Sequence, residues 1–130
     1  MPRAEQLSCG EHTDYGLLTM VNQDGHVAAL QVKNAAGRWV TADPIPGAFV
    51  CNIGDMLRIW TNGLYRPTLH RVVNPDPTRS RVSIPYFHEP GFDTVVRPQL
   101  GLRGSSLPPI VPQKHYGSHL ESKVFWNFEL

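Results

Sequence analysis

Proline and glycine punctuation constrains this chain more than any other feature: twelve prolines and eleven glycines interrupt 130 residues. Proline neither continues a helix nor donates to a central ladder, and glycine supplies the backbone freedom of tight turns. The pieces between them are rich in Val, Leu, Ile, Thr, Phe, Trp and Tyr, most of them residues at home in strands. Turn signals recur at about the 8 to 12 residue interval of sandwiches and barrels, so the sequence predicts an all-β fold. Strands are expected near residues 6–11, 17–23, 28–33, 38–42, 48–53, 56–60, 65–73 and 81–88, joined by turns such as NQDGH, NAAG, ADPIPG and TNG. Eight short strands suit a jelly roll.

Beyond Pro90 the segment VVRPQLGLRGSSLPPIVPQ is dense in Pro, Gly and Ser and reads as a surface loop without a strand. The tail HYGSHLESKVFWNFEL places Tyr116, Leu120, Val124 and Phe128 four apart, one stripe of a helix expected to pack on the outside of a sheet. The expected organisation is a jelly-roll core over residues 1–93, with a surface loop and a C-terminal helix over 94–130 packing on it.

A chain of this length is one domain by the usual prior and long enough to bury a core without staples. Its formal net charge of +1 offers no broad field for nucleic acid or anionic lipid. No apolar run approaches the roughly 20 residues of a membrane helix. Cys9 and Cys51 form neither a C-x-x-C pair nor a disulfide framework, and MPRAEQLSCG has no secretory or transit pattern. A cytoplasmic location is expected, with neither nucleic acid nor membrane as a partner.

Within HTDYG, His12 and Asp14 stand two positions apart. In an extended strand such residues share a face at a separation of roughly 6.5 Å. Gly16 eases the bend that lets them converge on one ion. An imidazole nitrogen with a carboxylate oxygen suits a divalent metal of intermediate hardness, and a third ligand must come from elsewhere. His70 in YRPTLHRVV is the candidate, sharing a strand face with Thr68 and Val72. Two histidines and a carboxylate form the facial set of non-heme Fe(II) oxygenases, which leaves positions open for substrates and O2. Taken alone, H-x-D more often marks a polar turn beside an unrelated strand histidine.

In SRVSIPYF, Arg81 and Ser83 share one face and Val82 and Ile84 the other. An arginine directed into a barrel needs an anion, and a carboxylate answers it through a two-pronged bond to which a serine hydroxyl adds a contact. The bland alternative is a surface arginine on an edge strand. Asn52 and Asp55 read as turn residues, Trp60 and Tyr65 as packing aromatics, and His26, His88, His115 and His119 as solvated or locally bonded. Strand parity turns Cys9 away from His12.

The ordered series HTDYG, LQV, GRWV, PGAFVCNIGDML, WTNGLY, HRVV and RVSIPYF, spanning about residues 6–93, resembles the C-terminal catalytic half of the isopenicillin N synthase-like family of Fe(II)- and 2-oxoglutarate-dependent dioxygenases. The resemblance implies an all-β, double-stranded β-helix of jelly-roll type. It implies His12, Asp14 and His70 as iron ligands, Arg81 as the holder of the distal carboxylate of 2-oxoglutarate, and Ser83 as its support. The implied reaction is oxidation of a small organic substrate by O2, by hydroxylation or a related outcome, with release of succinate and CO2. Three alternatives stay open: a family oxidase that uses no keto acid, a catalytically silent jelly-roll module that binds a partner, and a simple cupin-like metal-binding protein, which H-x-D with a remote histidine and R-x-S fits less well.

Family members are longer and have an N-terminal helical region that covers the sheet, whereas this sequence begins at the first core strand. Uncovered apolar side chains such as Val82 and Ile84 are therefore expected to drive self-association.

Overall fold

The structure, a computed structural model, describes residues 7–76, 78–103 and 108–127. In chain order it contains β1 (Leu7–His12), β2 (Leu18–Gln23), β3 (Leu30–Lys33), β4 (Trp39–Thr41), β5 (Val50–Ile53), α1 (Asp55–Trp60), β6 (His70–Val73), β7 (Ser83–His88), β8 (Val95–Val96), a 3-10 turn at Leu100–Arg103, β9 (Lys114–His115) and α2 (Tyr116–Asn127). By mutual contact the chain gathers into two compact units.

The first unit takes in residues up to Thr13, Met20–Asn52 and Thr68–Tyr86. Its main sheet has the order β1-β6-β3-β4, so strands distant in sequence lie side by side. That crossed wiring belongs to a jelly roll. β6 pairs antiparallel with β1 on one side and β3 on the other, and β3 pairs antiparallel with β4. The NAAG turn between β3 and β4 works as its composition requires. The Asn34 side chain accepts from the Ala36 and Arg38 amides, and Gly37 takes a φ of 74° that a side chain would resist. A smaller sheet runs in the order β5-β2-β7.

Strand alternation then sorts the side chains. Val21 of β2 and Leu30 and Val32 of β3 turn inward onto a cavity of about 270 Å³. On the other face of the main sheet, the Arg71 guanidinium lies 4.2 Å and the Lys33 ammonium 5.3 Å from the centre of the Trp39 ring. These are cation–π contacts that shield an outward-facing indole.

Parity fails in β1. Its register against β6 shifts between Leu7 and Cys9 and again between Cys9 and His12. Each irregularity re-aims the side chains beyond it, and Cys9 Sγ comes within 3.7 Å of His12 Nδ1 instead of turning away.

The second unit comprises Asp14–Thr19, Ile53–Pro67 and the chain from Phe87 onward. Its core is Met56, Ile59, Val96, Val111 and Tyr116, with Tyr15, Leu17 and Leu120 packed against them. The strand expected at 56–60 is α1 instead. Met56 and Ile59, three apart on one helical face, are its buried pair, and Asp55 places a carboxylate in the first turn, where the helix dipole favours it. A two-residue strand, β8, also forms within the segment read as strandless, paired with β9.

The tail is helical as the spacing predicts. Tyr116 and Leu120 join the core with α1 and β8, while Val124 remains exposed and Phe128 lies outside the described residues. Gly117 sits under the Phe92 ring, where a Cβ would come within 2.7 Å of a ring carbon. His119 is not solvated. It is 7% exposed, and its Nε2 meets Asp55 Oδ2 at 2.9 Å. Lys123 Nζ reaches the same oxygen at 3.0 Å, so α2 grips the head of α1 with two side chains.

Candidate metal centre

His12 ends β1 and His70 begins β6, and the two are direct partners in the ladder. Their ring centroids are 4.2 Å apart with planes tilted by 56°. The two side chains are held in the same way: His12 Nδ1 lies 2.8 Å from the Gly10 carbonyl and His70 Nδ1 lies 3.0 Å from the Thr68 carbonyl, in each case two residues back. A carbonyl oxygen only accepts, so each Nδ1 is assigned the proton and each Nε2 the lone pair. A metal-binding histidine is commonly oriented in this way, with its other ring nitrogen donating to a backbone carbonyl.

Asp14 follows His12 by two residues and is 5% exposed. Its own backbone is fixed from α1. The Asp55 amide donates to the Asp14 carbonyl at 2.8 Å and the Met56 amide to the Gly16 carbonyl at 2.9 Å. The first amides of a helix have no partner within the helix, and here they clamp the loop that carries the carboxylate. Gly54 is required by proximity: a Cβ there would collide with the Gly16 carbonyl and lie 3.0 Å from the Asp14 carbonyl oxygen. Gly16 is similarly confined, with the His88 carbonyl 2.9 Å from where a Cβ would stand.

One ligand atom from each of His12, Asp14 and His70 lies within 4.8 Å of the other two. Two imidazole nitrogens of borderline softness and one hard carboxylate oxygen fit Fe(II). With both imidazoles neutral the trio bears one negative charge, which a divalent cation would reverse to a single positive charge.

Arg81 and Ser83 also come together. Arg81 Nη1 donates to Ser83 Oγ at 3.1 Å, and Nη2 donates to Gln23 Oε1 at 2.9 Å. Arg81 Nε is buried without a hydrogen-bond partner among the described residues. Burial pulls the guanidinium below its ordinary range, and the nearby Asp24 carboxylate opposes that shift. An orphaned donor on a partly buried cation fits an incoming carboxylate. His70 lines the apolar cavity of about 270 Å³ with Asn52 among its walls, whereas Arg81 lines a neighbouring one of about 220 Å³ together with Arg79, Ser8 and Val72.

Sequence reasoning missed three contributors. Gln23 is a polar residue at an inward position of β2, which alternation from Val21 could have indicated. Asp24 holds the entry to β7 by accepting from the Val82 amide at 2.9 Å. Asn52, set aside as a turn residue, lines the cavity with His70.

Comparison with known proteins bears on this geometry. The family model of the 2OG-Fe(II) oxygenase superfamily matches residues 2–90. The chain is 55% identical over 121 residues to a homoarginine-6-hydroxylase of Oryza sativa subsp. japonica, covering 92% of this chain and 37% of that protein. A homoarginine-6-hydroxylase of Glycine max is 52% identical over 126 residues, with 94% and 37% covered. Among solved structures, the dioxygenase for auxin oxidation in rice superposes with a TM-score of 0.84 at 32% identity, covering 93% of this chain and 41% of that one. The dioxygenase for auxin oxidation 1 of Arabidopsis thaliana, in its binary complex with 2-oxoglutarate, gives 0.72 at 33% identity, with 76% and 37% covered. The jelly-roll reading of the fold stands on these superpositions. The chain spans a little over a third of the length of the curated relatives it matches.

Proposed function

The chain belongs to the 2OG-Fe(II) oxygenase superfamily, and from that premise we propose that it carries the metal centre of an Fe(II)- and 2-oxoglutarate-dependent oxygenase acting on a small organic substrate. The observation that carries this reading is the convergence of His12, Asp14 and His70, with both imidazoles tied back through Nδ1. In this reading the three side chains hold Fe(II), and Arg81 with Ser83 takes the distal carboxylate of 2-oxoglutarate. Iron held there would supply the redox centre for a reaction in which O2 takes two electrons from oxidative decarboxylation of the keto acid and two from the substrate, with succinate and CO2 as products.

The chain's own residues do the remaining work. A facial ligand set leaves positions open for the keto acid and O2. The orphaned Arg81 Nε offers a charged hydrogen bond that the distal carboxylate of a keto diacid can use and the methyl end of a keto monoacid cannot. Val21, Leu30, Val32 and Val50 give the His70 cavity an apolar lining that keeps water from a reactive centre.

For the substrate we propose a guanidino amino acid of the homoarginine type, hydroxylated on its side chain. Four relatives named as homoarginine-6-hydroxylases, 47% to 55% identical, support it. For assembly, self-association is proposed through Val82, Ile84 and Tyr86, alternate side chains on β7 and its entry that are 64%, 64% and 58% exposed. No helix among the described residues is long and apolar enough to cross a membrane.

The deciding experiment is anaerobic titration of the Fe(II)-loaded chain with 2-oxoglutarate, followed by absorbance and heat. Saturable binding with a new visible band is expected, and succinate should appear when O2 and homoarginine are added. A folded, iron-loaded sample that takes up no 2-oxoglutarate would overturn the reading. Substrate oxidation without succinate would point to an oxidase that uses no keto acid.

A further inference from the structure

We infer that Gln23 is a positioning residue that aims the Arg81 guanidinium at the distal carboxylate of the keto acid; the inference rests on the function proposed above. Gln23 stands two positions after Val21 on β2 and therefore projects to the same inward side. Its amide makes two bonds of opposite sense. Oε1 accepts from Arg81 Nη2 at 2.9 Å, and Nε2 donates to the Ala42 carbonyl at 3.1 Å. Neither bond can be reversed, because guanidinium only donates and a carbonyl only accepts. The amide orientation is thereby fixed, and one end of the guanidinium is fixed with it.

The location gives that geometry its consequence. Ala42 lines the same cavity as His70 and Val21, and Arg81 lines the neighbouring one. Gln23 is thus a bridge from the wall of the His70 cavity to the cation. With Nη2 held by Gln23 and Nη1 by Ser83, the guanidinium plane cannot swing, and Nε is left as the donor without a partner. Gln23 is also neutral, so it orients the cation without cancelling its charge. Asp24, the acidic neighbour, is turned to the Val82 and His26 amides instead.

Two ligands and two variants test this with the 130-residue chain loaded anaerobically with Fe(II). Isothermal titration compares 2-oxoglutarate with 2-oxopentanoate, which has the same keto-acid head but ends in methyl. Wild type should prefer 2-oxoglutarate. Gln23→Met, unbranched and close in volume, should weaken 2-oxoglutarate by about tenfold, the worth of one hydrogen bond to a charged group, and leave 2-oxopentanoate unchanged. Gln23→Glu still accepts from Arg81 but adds a negative charge facing the incoming dicarboxylate, and should weaken 2-oxoglutarate more than Gln23→Met does. If both ligands weaken in parallel, if 2-oxoglutarate affinity holds within twofold of wild type, or if neither variant folds, Gln23 is not a positioning residue. A wild type that binds both ligands equally would instead remove Arg81 as the holder of the distal carboxylate, and one that takes up neither would sink the keto-acid reading itself.

Discussion

His12 and His70 face each other across the β1–β6 ladder with ring centroids 4.2 Å apart, each ring tied by Nδ1 to a carbonyl two residues upstream. The ladder therefore sets their separation before any ion arrives. Replacing either ring with alanine leaves one imidazole and one carboxylate. Altering a residue that merely supports a ligand costs roughly 10- to 100-fold in metal affinity, so His12→Ala and His70→Ala should each lose about 100-fold or more. Anaerobic metal analysis after gel filtration measures this, and retention of stoichiometric iron by both variants would contradict the proposed ligand set.

Metal binding should appear as stability. A ligand that binds only the folded state adds about 2.7 kcal/mol at a free concentration of 100 Kd. For a domain of this size that corresponds to a rise in Tm of about 10 °C. Anaerobic thermal scans with and without Fe(II) should show the rise, chelator should reverse it, and Asp14→Asn should abolish it.

Gly54→Ala tests the clamp between α1 and the Asp14 loop. Its Cβ would collide with the Gly16 carbonyl, so backbone rather than a flexible side chain must move. A cost of about 1–3 kcal/mol is expected, as for overpacking elsewhere. Gly25→Ala, with nothing within 4 Å of its Cβ, is the control and should stay within about 0.5 kcal/mol of wild type. Urea denaturation of the two variants distinguishes steric exclusion from a generic loss of glycine.

Tyr116 should make the protein sensitive to alkali. Its phenol is pushed above the ordinary value of 10 by burial and by the Glu89 carboxylate beside it. A folded-state pKa above the unfolded one means the contribution is complete below about pH 10 and is lost as pH rises through the folded value. Urea denaturation across that range should show stability falling, and Tyr116→Phe should remove most of the fall. Because the buried hydroxyl makes no well-formed hydrogen bond among the described residues, the same substitution should cost little at neutral pH.

Val82, Ile84 and Tyr86 should make the chain associate. β7 lies at the end of its sheet, so these alternate exposed side chains sit along an edge strand, the part of a sheet most prone to pairing with another chain. Light scattering should show concentration-dependent assembly. Ile84→Lys should return it toward monomer, and an unchanged distribution would clear this strand of the role.

Much of this was legible in the sequence because strand and turn chemistry is local. The Asn34 and Gly37 turn and the shared position of Arg81 and Ser83 follow from residue type and alternation alone. What alternation could not reveal depended on contacts made at a distance. Residues 56–60 read as a strand, yet the amides at the head of that segment find acceptors in Asp14 and Gly16, far away in sequence, and the buried pair Met56 and Ile59 then suits a helix. Cys9 was misplaced because irregular register overrides parity. His119 read as solvated or locally bonded because its partner, Asp55, is 64 residues away. Gln23 escaped notice because a single glutamine in a strand has no signature until its two partners are known.

The grip of α2 on Asp55 has a reach beyond the two helices. His119 and Lys123 meet the carboxylate that heads α1, and the amides at that head hold the Asp14 and Gly16 carbonyls. A lesion in the final helix would touch none of the proposed iron-binding side chains and yet loosen the scaffold beneath one of them. Weak iron retention in a C-terminally damaged protein would then be a remote, mechanical injury rather than a chemical one.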